Sequence, residues 1–61
     1  MEGDSVAVMA LRAMMRNALA RGADPGEVLY AAAKQAREDR VTDDQLAKIV
    51  GTLRDEGRLR G

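Results

Sequence analysis

The sequence predicts an all-α fold, a small domain of three short helices at about residues 5–20, 25–39 and 43–56. Apolar residues recur at helical spacing in three separate segments, and a signal for helix initiation precedes each of them. The composition also favours helix, because Ala, Leu, Arg and Met are abundant and β-branched residues are few. All 61 residues are expected to form a single domain.

The first helix is expected to follow Asp4 or Ser5, either of which can cap it, and to end near Gly22. At 100° per residue, its main apolar residues fall within an arc of about 140°. They are Ala7, Val8, Leu11, Met14, Met15, Ala18 and Leu19. Val6 and Met9 lie outside this arc and therefore indicate a second apolar surface.

The second helix has the clearest start in the chain. Residues 24–27 place a capping Asp, then Pro at the first helical position, then Glu at the third. The apolar residues that share one face are Val28, Leu29, Ala32, Ala33 and Ala36. Because most of them are Ala, a neighbouring helix can approach this face closely.

The third helix is predicted to begin with a capping box at residues 42–45, with Val41 as its hydrophobic staple. Its apolar stripe consists of Leu46, Ile49, Val50 and Leu53, with Ala47 at the edge. Gly51 lies inside the pattern, where it either permits a close helix contact or weakens the helix by about 1 kcal/mol. Gly57 is the expected stop, and residues 58–61 are expected to form a short tail.

Composition and charge exclude several classes of protein. The chain has no Cys and no His, which rules out disulfides, zinc fingers and thiolate clusters. Ten acidic and ten basic residues give zero net charge, whereas a domain built to hold phosphate backbones is normally basic. The longest uncharged apolar stretch, residues 5–11, is too short to span a membrane, and Glu2 and Asp4 do not suit a signal peptide. The cytoplasm is the expected compartment.

Enzymatic activity is not expected. General acid–base catalysis needs positioned partners, and His and Cys are missing. The carboxylate pair Asp43 and Asp44 stands at a predicted helix start, where the helix dipole favours acidic residues. We therefore predict no catalytic site, no cofactor, no metal and no small-molecule substrate.

Five residues are candidates for binding a protein partner: Val6, Met9, Tyr30, Lys34 and Arg37. The flexible thioether of Met9 suits an adaptable surface, although one exposed apolar residue is also ordinary. Tyr30, Lys34 and Arg37 recur at spacings of four and three residues on the polar side of the second helix. They form either a solvated face, with Tyr30 lying over the stem of Lys34, or an interface anchor.

These observations favour a non-enzymatic protein–protein interaction module: a regulator, inhibitor, adaptor or docking element. The thin core, which lacks Phe and Trp, leads us to expect a homodimer or a complex with another protein. The alternative is a small nucleic-acid-binding transcriptional regulator that uses a basic C-terminal end. That end comprises Lys48, Arg54, Arg58 and Arg60.

Overall fold

A computed structural model describes residues 5–59, which form three helices and no strand. Helix α1 spans Val6–Ala20, α2 spans Pro25–Glu38 and α3 spans Asp43–Asp55. The predicted three-helix fold is confirmed. Each helix is one residue shorter than predicted, because residues 5, 39 and 56 are caps and lie just outside the helices. None of the three helices is long and apolar enough to cross a membrane.

A side-chain hydrogen bond caps the N-terminus of each of the three helices. The Ser5 hydroxyl accepts a bond of 3.2 Å from a backbone N–H of the first turn of α1, and the Asp24 carboxylate accepts one of 3.1 Å in α2. In α3 the capping box is complete: Gln45 N–H donates to Thr42 Oγ1 at 3.1 Å, and Thr42 N–H donates to Gln45 Oε1 at 3.0 Å. Asp4, the other predicted cap of α1, lies outside the described residues.

The three helices end in the same way, with the residue after the cap in the left-handed region. Gly22 and Gly57 have φ values of 92° and 78°, as predicted for helix stops. After α2 the same position is held by Arg40, with φ of 61°. The C-terminal end of α2 is closed by a backbone hydrogen bond of 2.8 Å, which Val41 N–H donates to the Ala36 carbonyl. Because Arg40 carries a Cβ, this conformation costs on the order of 1 kcal/mol relative to Gly.

The core lies between α1 and the other two helices, both of which pack against it. Its buried side chains are Val8, Leu11, Met15, Val28, Ala32, Ala36, Val41, Ile49, Leu53 and Leu59. The radius of gyration is 10.8 Å, close to the value of about 10.5 Å expected for a compact chain of this length. Leu59 is 7% exposed, so the predicted tail instead returns to the core after Gly57.

Three residues predicted to face the core are exposed. Met14 is 39% exposed, Leu29 is 36% exposed, and Ala33 is also exposed. Each lies at the rim of its stripe, about 60–100° from the centre of the buried face on a helical projection. The neighbouring helices cover only the centre of each stripe, so the predictions for these three residues were wrong.

Gly51 is not a point of close helix contact. A Cβ added at this position would meet no atom within 4 Å. Of the two interpretations drawn from the sequence, a close contact inside the domain is therefore wrong. The position costs α3 helical stability without a packing reason.

Candidate interaction surfaces

The side of α1 opposite the core is exposed, uncharged and largely apolar. On a helical projection its residues fall within an arc of about 100°. They are Val6, Met9, Ala10, Ala13, Asn17 and Ala20, all of them exposed, and we call them the α1 outer face. Val6 is 78% exposed and Met9 46%. None of the six is charged and five are apolar, Asn17 being the exception, so α1 has largely apolar surfaces on two opposite sides.

The apolar pattern of the sequence indicates only part of this surface. Val6 and Met9 were identified because they are large and lie off the main stripe. Ala10, Ala13 and Ala20 were missed, because small residues add little to an apolar pattern even where they continue it. Their spacing from Val6, at four, seven and fourteen residues, was the available signal.

Ion pairs among three charged side chains connect one border of the α1 outer face to the end of α3. Arg16 Nη2 lies 3.4 Å from Glu56 Oε2, and Arg58 Nε lies 2.8 Å from Glu56 Oε1. The hydrogen bond from Arg58 and the positive charges of Arg16 and Arg58 hold the pKa of Glu56 below its ordinary value, although partial desolvation opposes the shift. Arg16 and Glu56 are 40 residues apart in the chain, so only the fold brings them together.

The outer face of α2 carries the polar candidates. Tyr30, Lys34 and Arg37 are all exposed, Tyr30 by 71%. They fall within an arc of about 60° on the side of α2 away from the core. The fold therefore places them on one surface with an aromatic ring and two positive charges. Both interpretations, solvated face and interface anchor, remain predictions.

The basic C-terminal residues are dispersed over the surface. Lys48, Arg54 and Arg58 are exposed, and Arg60 lies outside the described residues. Lys48 and Arg54 are about 120° apart around α3, and Asp44 lies within that gap. Arg58 is already bonded to the Glu56 carboxylate. The three described residues therefore do not form one continuous basic surface.

A shallow groove of about 300 Å³ separates the end of α1 from the end of α3. It is lined by Leu19, Ala20, Glu56, Gly57 and Arg58. Its two charged residues are hydrogen-bonded to each other, from Arg58 Nε to Glu56 Oε1 at 2.8 Å. Between residues 5 and 59, no three acidic side chains are grouped so that they could hold a metal ion.

Comparison with known proteins adds no relative. No protein-family model, no curated protein and no solved structure matches this chain. Inferences about function therefore rest on the surfaces described above.

Proposed function

We propose that this protein is a non-enzymatic protein–protein interaction module of the cytoplasm, a regulator, inhibitor, adaptor or docking element. The α1 outer face is its principal binding surface. The observation that carries the proposal is the uncharged, exposed character of that face over the whole length of α1. A surface helix normally turns charged and polar residues toward water, and a helix that is apolar all round is normally buried.

The outer faces of α2 and α3 provide the contrast within the same molecule. Lys34, Glu27 and Glu38 stand on the outer side of α2, and Asp44 and Lys48 on that of α3. Those helices follow the usual amphipathic pattern, which makes α1 the exception. An exposed apolar face of this kind marks an interaction site in many soluble proteins.

The energies involved suit a reversible contact. Complete burial of a Val or Met side chain contributes about 1.5–3 kcal/mol, and Val6 and Met9 are the largest side chains on the face. Ala side chains add less but let a partner helix approach closely. Because association itself costs several kcal/mol in lost freedom, we expect moderate affinity.

The α2 outer face is the second part of the proposal. Tyr30 and Arg37 are residue types that recur at binding hot spots, and Lys34 adds a positive charge beside them. Contacts made there would weaken with added salt, whereas contacts on the α1 outer face would not. A salt titration of binding therefore separates the two surfaces.

Site-specific photocrosslinking tests the proposal. Benzoylphenylalanine replaces Met9 in one sample and Thr52, an exposed residue of α3, in a matched control. In extract of the source cells, position 9 should give a discrete protein adduct and position 52 should not. An excess of unlabelled parent chain should suppress an adduct with a different protein, or replace it with an adduct of the mass of two copies if the partner is a second copy. An excess of the Ala13→Glu variant should do neither. Equal labelling from both positions, or none from position 9, would contradict the proposal.

A further inference from the structure

We infer that the α1 outer face binds the same face of a second copy of this chain. The two α1 helices run antiparallel across a twofold axis near Ala13. This inference rests on the proposed function, because it names the partner of that same surface. Such isologous pairing is the commonest form of self-association, and a chain with zero net charge has no long-range repulsion to overcome.

The first support is the unequal size of the side chains along the face. Val6 and Met9 stand in the first half of α1, whereas Asn17 and Ala20 in the second half are smaller. When a second copy is turned end for end about Ala13, its Ala20 lies level with Val6 and its Asn17 level with Met9. Each large side chain then shares its level with a smaller one, which evens the space between the two helices.

A parallel arrangement fits the same residues less well. It would bring Val6 against Val6 and Met9 against Met9, and it would leave the small residues at the other end too far apart to touch. Dispersion contacts are lost across such gaps. The size gradient therefore favours the antiparallel pair.

The second support is the distribution of charge. No residue of the α1 outer face is charged, and Arg16 at its border is engaged by Glu56 of its own chain. The six residues of one face therefore bring no charge against the six of the other. An acidic peptide would find no basic residue within the face, so a second copy suits it better than a partner selected by charge.

The size of the α1 outer face determines how strongly two copies are expected to associate. A helix of 15 residues is about 22 Å long. Stable interfaces bury about 800 Å² per partner, which is nearly a fifth of the 4377 Å² surface of this chain. One helix face is smaller than that. We therefore expect a reversible dimer with a dissociation constant of about 1–100 µM.

Sedimentation equilibrium from about 1 µM to 1 mM tests self-association, because that range brackets the expected constant. The parent chain should pass from monomer to dimer. Ala13→Glu should weaken the dimer by about 100-fold or more, since it opposes two carboxylates at the twofold axis. Thr52→Glu, on the exposed side of α3, should leave the constant unchanged. Circular dichroism checks that both variants are folded, which is expected because both residues are exposed.

Single cysteines test the orientation, because the chain contains no Cys of its own. Ala13→Cys should link readily to a second copy under mild oxidation. Val6→Cys should not link to itself, because the two residues lie about 21 Å apart in the antiparallel pair, whereas a disulfide needs Cα atoms within about 7 Å. A mixture of Val6→Cys and Ala20→Cys should form the cross-linked pair.

The outcomes separate this inference from the proposed function. Linking of Val6→Cys to itself as fast as Ala13→Cys would overturn the antiparallel arrangement. A monomer at every concentration, with Ala13→Cys linking no faster than Thr52→Cys, would overturn the second copy as partner. In that case the mass of the adduct from position 9 shows independently whether the face binds a different protein.

Discussion

The inner and outer faces of α1 carry similar side chains in opposite surroundings. Val8, Leu11 and Met15 on the inner face are buried against the other two helices, whereas Val6 and Met9 on the outer face are open to solvent. The outer face also has smaller residues at its centre and end. Both faces therefore carry large apolar side chains, and only those of the inner face are covered within the described part of the chain.

This difference shows what an apolar pattern does and does not indicate. A stripe with helical spacing predicts that a side of the helix will be buried, but it does not say by what. On the inner face the cover is α2 and α3. On the outer face the described residues supply none, and a partner molecule is the proposed cover.

The largest expected effect on stability comes from truncating one large side chain on the inner face of α1, compared with one on the outer face. Leu11→Ala should lower the free energy of unfolding by about 2–5 kcal/mol, because it leaves a cavity in the core. That loss can exceed the whole stability of so small a chain. Met9→Ala should change it by only about 0.5 kcal/mol in dilute solution, since Met9 is exposed in the monomer. Urea unfolding followed by circular dichroism at low micromolar concentration measures both, and equal losses would remove the distinction between the faces.

A pair of leucines, one buried and one exposed, extends the comparison beyond α1. Leu59→Ala should destabilise the protein by about 2 kcal/mol or more, because Leu59 is buried although it lies outside any helix. Leu29→Ala should cost roughly 1 kcal/mol or less, because part of the side chain is already in solvent. Thermal melts of the two variants provide the ranking. If Leu29→Ala proved the more damaging, the C-terminal segment would not be part of the core.

A substitution at Gly51 tests whether the space beside this residue is open, as the structure shows. Gly51→Ala should raise the free energy of unfolding by about 0.5–1 kcal/mol, because Ala favours helix and the added Cβ meets open space. Gly57→Ala is the matched control. It should lower stability, since φ of 78° at Gly57 disfavours any residue with a Cβ. A loss of stability in Gly51→Ala would mean that something does pack against this position.

The smallest expected effect is the pH dependence of the ion pairs of Glu56, one of which is formed with Arg16 at the border between the two faces of α1. The pKa of Glu56 is lowered in the folded protein from its ordinary value of 4.5, first by the hydrogen bond from Arg58 and then by the charge of Arg16. The ion pairs therefore stabilise the fold above about pH 4.5, and this contribution is lost as the pH falls through the lowered pKa. A carboxyl NMR titration should give a pKa below 4.5 for Glu56. Arg58→Ala should move it back toward 4.5, and no movement would exclude the hydrogen bond as the main cause.

The sequence by itself determined the three helices, their order and most of their ends. Capping at Ser5, Asp24 and Thr42 depends on residues three positions apart, and the stops at Gly22 and Gly57 depend on the conformation of one residue. Such interactions are local, so they can be predicted from neighbouring residues. The positions of Val6 and Met9 off the inner stripe of α1 are also local, because they follow directly from the spacing of residues along the helix.

Only the tertiary structure decided which apolar residues are covered. Met14 and Leu29 belong to predicted inner stripes yet are exposed, whereas Leu59 belongs to no stripe yet is buried. The contact between Arg16 and Glu56, 40 residues apart, likewise has no local signal. Burial depends on where the other helices and the C-terminal segment lie, and those positions are set by contacts between residues far apart in the chain.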